Sequence, residues 1–428
     1  MKQLTETIDE SSIDENTNTL NQFRSNTLIL RERAKAPVLI DGSNRVVKVP
    51  RSGIREIFDL ARGVPDLIHF EIGEPDFQMP NHVTEAAIQA LKDGVTKYTP
   101  NAGLEELRVA ISEKLKHDNS LDMDPQSEIM VTAGAVNALS LSILSTINPG
   151  DEIVIPDPGY VSFAALVLLA EGVPVYVPLR ERNDFRLTAD DVENVVSNRT
   201  RMIIVNSPSN PTGGMELQQD LKGIAQLAID HDLLVLSDES YERIVYPGNQ
   251  HFSIAGIPEM HDRTISIFSF SKTYAMTGMR VGYMTGPTTL IHQMTKLQEH
   301  YVSCVNAVAQ KAALAALRGP QNCVAEMLAE YTRRRDTLIN GLNETQLITC
   351  RKPAGTFYAF PNITKTGYDS RTVAQELLTE AKVVTVPGVA FGKSGEGYIR
   401  ISFATSIDNI KKAIDRIRTY CVRHRAPT

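Results

Sequence analysis

From about residue 125 the chain settles into short apolar strands alternating with helical segments, and this rhythm restricts the fold more than any other feature. "SEIMVTAG" runs into "AVNALSLSILSTI" and then "DEIVIPD". "RMIIVNSP" leads to the helix-like "ELQQDLKGIAQLAIDHD", followed by "LLVLSDE", "TISIFSF" and "VGYMTGP". Repetition of this kind predicts an α/β fold, with a mainly parallel sheet flanked by helices on both faces. Ligands of such sheets sit beyond the carboxyl ends of the strands, so the loops that follow strands are where chemistry is expected.

A second pattern begins near residue 325. The charged helical stretch "AEMLAEYTRRRDTLINGL" precedes "CRKPAGTFYAFPNI", a further helix, "KVVTVPG", "GYIRISFA" and a closing helix from about 406. This mix predicts a smaller α+β domain, and a length of 428 residues suits two domains. The expected division is a polar N-terminal extension over 1–45, a segment over 46–80 packing with the small domain, a large domain over 81–325 and a small domain over 326–428. The extension is polar, short of aromatics and without clear periodicity, and reads as a mobile tail, or as a short helix against a partner subunit.

Composition excludes several classes. A net charge of -7 without any Lys/Arg-rich run argues against a general nucleic-acid binder. No apolar run approaches the roughly 18 residues that span a bilayer, and "FAALVLLA" (163–170) reads as a core segment. The acidic N-terminus lacks an apolar signal region, which points to the cytoplasm. Cys304, Cys323, Cys350 and Cys421 form no CxxC and read as free thiols. The histidines form neither HExxH nor a cysteine pairing at ligand spacing, so no metal site is expected.

Four strand-to-loop junctions carry unusual residues. Gly134, Ala135 and Val136 open a helix whose first N–H groups could face a phosphate, although such a glycine is usually turn geometry. The loop "NSPSNPTGG" (206–214) suits a tight turn, yet Asn210 could offer its amide to a ligand. "SDESYE" (237–242) places Asp238 where a carboxylate often merely caps a helix. "FSFSKTYAMTGMR" holds Ser269, Ser271, Lys272 and Arg280. Together they read as one site. A desolvated lysine near other cations is a carbonyl-attacking amine, an acid can hold a protonated ring nitrogen, and an anion cradle can hold a phosphate. Those are the requirements of pyridoxal 5'-phosphate. Arg400, inside the apolar strand of "EGYIRISFA", is poorly explained as surface charge and well suited to a carboxylate.

With "NSPSNPTG", "SDESYE", "YTPNAGLEELR" and "EGYIRISFA" in order, "SFSKTYAMTGMRVGY" resembles the class I/II aminotransferases of fold type I, over about residues 50 to 420. It is most similar to prokaryotic and archaeal aspartate and aromatic aminotransferases. The resemblance implies that Lys272 is the Schiff-base lysine and later the proton carrier, and that Asp238 keeps the pyridine nitrogen protonated. Asn210 and Tyr241 would bond the ring's phenolic oxygen, and Tyr160 would stack on the ring. Gly134, Ala135, Val136, Ser269, Ser271 and Arg280 would hold the phosphate, and Tyr98 would reach the partner's phosphate in a homodimer. Arg400, Gly73 and Asn210 would bind the substrate, with Arg400 on its α-carboxylate. Val136 stands where members dedicated to aspartate often carry a lysine. The implied reaction moves the amine of an L-amino acid to a 2-oxo acid such as 2-oxoglutarate by ping-pong turnover. A C–S lyase or other β-eliminating enzyme is the alternative on the same fold, and an inactive regulatory module is the third reading. "GVAFGKSG" (388–395) imitates a phosphate loop, but its spacing is short and it precedes a strand.

Overall fold

The computed structural model describes residues 42–51 and 53–424. The expectation for residues 1–41 lies outside them. Residues 42–48, with the short helix Asn44–Val47, belong to one unit, and the remainder of the described chain forms the other.

Two-residue β1 (Ile68–His69) comes first. The main sheet follows with β2 (Ile129–Thr132), β3 (Glu152–Asp157), β4 (Val173–Pro178), β5 (Thr200–Asn206), β6 (Leu234–Asp238), β7 (Thr264–Ser269) and β8 (Gly282–Thr285). These seven strands lie in the order β2-β8-β7-β6-β5-β3-β4. Strands β4, β3, β5, β6 and β7 pair in parallel, while β8 runs antiparallel to both β7 and β2.

Alternation along the central strands builds two cores at once, because successive side chains point to opposite faces. Ile153, Ile155, Met202 and Ile204 pack with Leu139 and Ile143 of the helix Ala135–Thr146. Val154, Ile203 and Val205 face the other way, against Leu221, Ile224 and Ala225 of the helix Gln218–Asp230. Strands covered on both sides read as unbroken apolar runs. The segment "FAALVLLA" departs from expectation. Within the helix Ser162–Leu169 only Phe163 and Val167 are buried, the other side chains being half-buried in this chain.

A second group of elements flanks the sheet. β9 (Tyr358–Ala359), β11 (Val386–Pro387) and β12 (Ile399–Ser402) make a three-stranded antiparallel sheet in the order β11-β12-β9. β10 (Val383–Val384) pairs in parallel with β1. The helices Asn322–Asn343 and Ile407–Arg423 bury Tyr331, Leu338, Ile410 and Ile417 with Phe70, Phe357 and Ile401. The helix Gly53–Ala61 sets Ile57 and Ala61 on Ala374, Leu378 and Val384. Among the described residues no helix is long and apolar enough to cross a membrane.

Candidate active site

Adjacent parallel strands end in polar residues that the register brings side by side. Asn206 pairs with Asp238 across β5 and β6, and Asp238 pairs with Ile267 on β7. The Asn206 side chain donates to the Asp238 carbonyl at 3.2 Å, and its amide oxygen accepts the Asn210 N–H at 3.0 Å. Strand and loop are thereby locked, and a cleft of about 400 Å³ opens above them.

Lys272 lies on the one-turn helix Phe270–Thr273, which Ser269 caps by accepting the Ser271 N–H at 3.2 Å. Its amine donates to the Gly73 carbonyl at 2.6 Å and lies about 6 Å from the rings of Tyr241 and Phe357. Burial pulls its pKa down to about 8; Glu74 opposes this, while Arg400 and Arg280 assist. Asp238 is buried, which raises its pKa, and one oxygen accepts the Ser240 hydroxyl at 2.6 Å and the Ser240 N–H at 3.2 Å, which restrains the rise. The Tyr241 hydroxyl lies 3.0 Å from that of Tyr358. Burial pushes the Tyr241 phenol well up. Tyr160 follows β3 and packs edge-on to Phe163.

The two ends of the cleft carry arginines in different settings. Gly134 has φ +83°, and a Cβ there would come within 2.5 Å of Arg280 Nη2, so the guanidinium lies against bare backbone. Arg280 is exposed and donates to the carbonyls of Thr277 at 2.9 Å and Ala133 at 3.4 Å. Ser269, Ser271 and the first turn of the helix Ala135–Thr146, whose N–H groups have no partner within the helix, complete a cradle for an anion. At the other end Arg400, on β12, is only 2% exposed. It donates to Asn210 Oδ1 at 3.1 Å and the Glu71 carbonyl at 2.7 Å, and it lies 4.4 Å over the Tyr358 ring. Its Nε has no partner, and no carboxylate of the described residues forms an ion pair with it.

Gly73, Ala135, Val136, Tyr160, Asn210, Asp238, Tyr241, Ser269, Ser271, Lys272, Arg280 and Arg400 all line this cleft. Gly134 backs it from behind Arg280. Tyr98 is not brought in. It is 90% exposed and borders a separate surface groove with Leu91 and Cys304. The sequence reading missed Glu71, Ile72, Glu74, Leu139, Asn206, Ser240, Thr277 and Tyr358, which also line the cleft. Asn206 and Ser240 sit inside loops already suspected, whereas apolar Ile72 and Leu139 carry no chemical signal. The stretch "GVAFGKSG" forms two 3-10 turns, and its Ser394 N–H and hydroxyl donate to the Asp157 carboxylate. Among the described residues one potential ligand group, Glu239, Glu242 and His251, does come together, but its carboxylates already take bonds from Lys114, Asn119, Ser237, Ser253 and His251.

A primary amine of lowered basicity, facing a buried acid and an anion cradle at the strand ends, fits pyridoxal phosphate in each of its functional groups. The sheet and its site thus define an enzyme of the lysine-bound pyridoxal-phosphate class. The sequence profile of the family described as aminotransferase class I and II matches residues 65–417. Aspartate aminotransferase of Pyrococcus abyssi is 46% identical over 377 residues, 88% of this chain and 97% of the relative. Aromatic-amino-acid aminotransferase 2 of Thermococcus litoralis is 45% identical over the same shares of the two chains. The crystal structure of aromatic aminotransferase from Pyrococcus horikoshii superposes with a TM-score of 0.82 at 43% identity, covering 86% of this chain and 99% of the other. The chain belongs to the class I and II aminotransferases, enzymes that depend on pyridoxal phosphate. The C–S lyase alternative gains no support from these relatives.

Proposed function

We propose that this aminotransferase takes the amine of an L-α-amino acid with an aromatic or aspartate-like side chain and passes it to a 2-oxo acid such as 2-oxoglutarate. One observation carries the reading. A lysine of pKa about 8 and a buried arginine with no acidic partner among the described residues open into the same cleft. Bound pyridoxal phosphate supplies a carbonyl that captures amines and a ring that withdraws electrons from the α-carbon.

The chain's own residues do the rest. Asp238 would hold the charge on the ring nitrogen, and that positive partner would keep the carboxylate ionised in spite of burial. Asn210 and Tyr241 would donate to the phenolic oxygen, and Tyr160 would cover the ring. The backbone of Gly134, Ala135 and Val136, with Ser269, Ser271 and Arg280, binds the phosphate. Arg400 and Gly73 would hold the substrate's α-carboxylate beside Asn210, in the cleft that Lys272 Nζ lines, and Lys272 would take and return the α-proton. Each cation lining the cleft is then engaged, and Ile72, Val136 and Leu139 are apolar, so aromatic donors are favoured over aspartate.

Tyr98, outside its own cleft, completes the phosphate site of a second copy in a cytoplasmic homodimer. A large domain over 81–325, a small one over 326–428 and a segment over 46–80 packing with the small domain accompany this reading, and the pairing of β1 with β10 supports that packing. A panel of amino donors with 2-oxoglutarate as acceptor tests it. Phenylalanine or tyrosine should give an oxo acid together with glutamate, and Lys272→Ala should reduce turnover to the blank. Absence of oxo-acid-dependent transfer from every donor, or full activity in Lys272→Ala, would overturn it.

A further inference from the structure

Tyr241 shares the floor of the cleft with a second phenol. Tyr358, on β9, puts its hydroxyl 3.0 Å from that of Tyr241, and both side chains are buried. The Tyr358 ring is fixed on three sides. Arg400 lies 4.4 Å above it, Phe357 packs at 4.9 Å, and a Cβ on Gly73 would approach its hydroxyl oxygen to 2.3 Å. A buried hydroxyl needs a partner, and here that partner is the other phenol.

One bond between two hydroxyls has one donor. Since Tyr241 gives its proton to the cofactor's phenolic oxygen in the function proposed above, its own oxygen is left to accept. We propose that Tyr358 is a positioning residue of this aminotransferase, whose hydroxyl donates to Tyr241 and so orients and strengthens the bond Tyr241 makes to the cofactor. Hydrogen bonds in series polarise one another, and more so away from water. The same strand pair carries both devices. β9 is bonded to β12, with Ser402 opposite Tyr358, so the strands that carry Arg400 and Tyr358 are hydrogen-bonded neighbours.

The inference rests on the role given to Tyr241, and the test separates the two. A donor draws charge from the phenolic oxygen and makes the bound cofactor harder to protonate; losing the donor raises the pH midpoint of the cofactor's visible absorption change. Tyr358→Phe should raise that midpoint by about half a pH unit. Tyr241→Phe should raise it further, and the double variant should match Tyr241→Phe alone. The other groups facing the Tyr241 phenol, Arg400 and Tyr160, remain in place throughout. KM for the amino acid should stay within about twofold in Tyr358→Phe, which keeps the ring under Arg400, and rise in Tyr358→Leu.

A Tyr358→Phe curve that superposes on the unaltered one while Tyr241→Phe shifts would overturn this inference alone. So would a shift that adds in full to that of Tyr241→Phe. No shift in Tyr241→Phe would remove the role of Tyr241 and this inference with it. Should Tyr358→Phe not retain the cofactor, calorimetric affinities for pyridoxal phosphate across the same four proteins decide the matter instead. Losses that fail to add support the proposal, and full additivity counts against it.

Discussion

Arg280 and Arg400 flank one lysine, yet the chain treats them in opposite ways. Arg280 stands exposed at the end of a turn, in the left-handed region at φ +51°, with backbone carbonyls as its partners. Arg400 is carried on a strand, 2% exposed, between the rings of Tyr358 and Phe391. An exposed guanidinium loses little hydration and can serve as a standing anchor for a dianion that stays bound through turnover. A buried one has given up its water, and an uncompensated charge in that position costs several kcal/mol. In the function proposed above, a substrate carboxylate restores that balance at each turnover. Burial would then separate the two roles, with the buried arginine reading the substrate and the exposed one retaining the cofactor.

Two substitutions put that division at risk. Arg400→Leu should lower kcat/KM for every α-amino acid by about 100-fold to 1,000-fold, the loss expected when one partner of a buried charge pair is removed. Its affinity for pyridoxal phosphate should stay within a few-fold. Arg280→Leu should do the reverse, weakening the cofactor by about tenfold, the scale of one exposed charge-assisted bond, with little change in KM once the protein is saturated. Steady-state kinetics and equilibrium binding read the two effects separately. If both variants lose cofactor equally, the division of labour between the arginines fails.

How far this was legible in the sequence depended on surroundings. The strands β3, β5, β6 and β7 announced themselves because helices cover both faces and no polar residue interrupts Ile153–Ile155 or Ile203–Val205. The edge strand β4 escaped: "VPVYVP" is apolar, but its two prolines argue against a strand with a full ladder, and most of its side chains are partly or fully exposed. The reversed direction of β8 was equally hidden, because a four-residue buried strand reads alike in either orientation. In the site, Lys272, Asp238, Arg280 and Arg400 stood out as charges against apolar context. Tyr358 did not, since a tyrosine within "TFYAF" is indistinguishable from core until its hydroxyl is seen to meet another. Glu71 was missed for a related reason. Its side chain is buried with one carboxylate oxygen 2.8 Å from Nδ1 of the nearby His69, and its carbonyl accepts from Arg400, far away in sequence.

A finer measurement reaches both arginines at once, through the lysine between them. Only the neutral amine attacks a carbonyl, so capture of pyridoxal phosphate by the cofactor-free chain should follow deprotonation of Lys272. With a pKa of about 8, the initial rate should rise roughly fivefold from pH 7 to 8, about twofold from 8 to 9, and then level. A lysine at its ordinary value near 10.5 would instead gain about tenfold per unit across that whole range. Arg400 and Arg280 both favour the neutral amine, Arg400 the more strongly, and Glu74 disfavours it. The midpoint should therefore move down in Glu74→Gln, move up in Arg400→Leu, and move up less in Arg280→Leu. Stopped-flow absorbance at a series of pH values would record the order. A larger rise in Arg280→Leu than in Arg400→Leu would mean that the exposed arginine, and not the buried one, governs the field at the reacting amine.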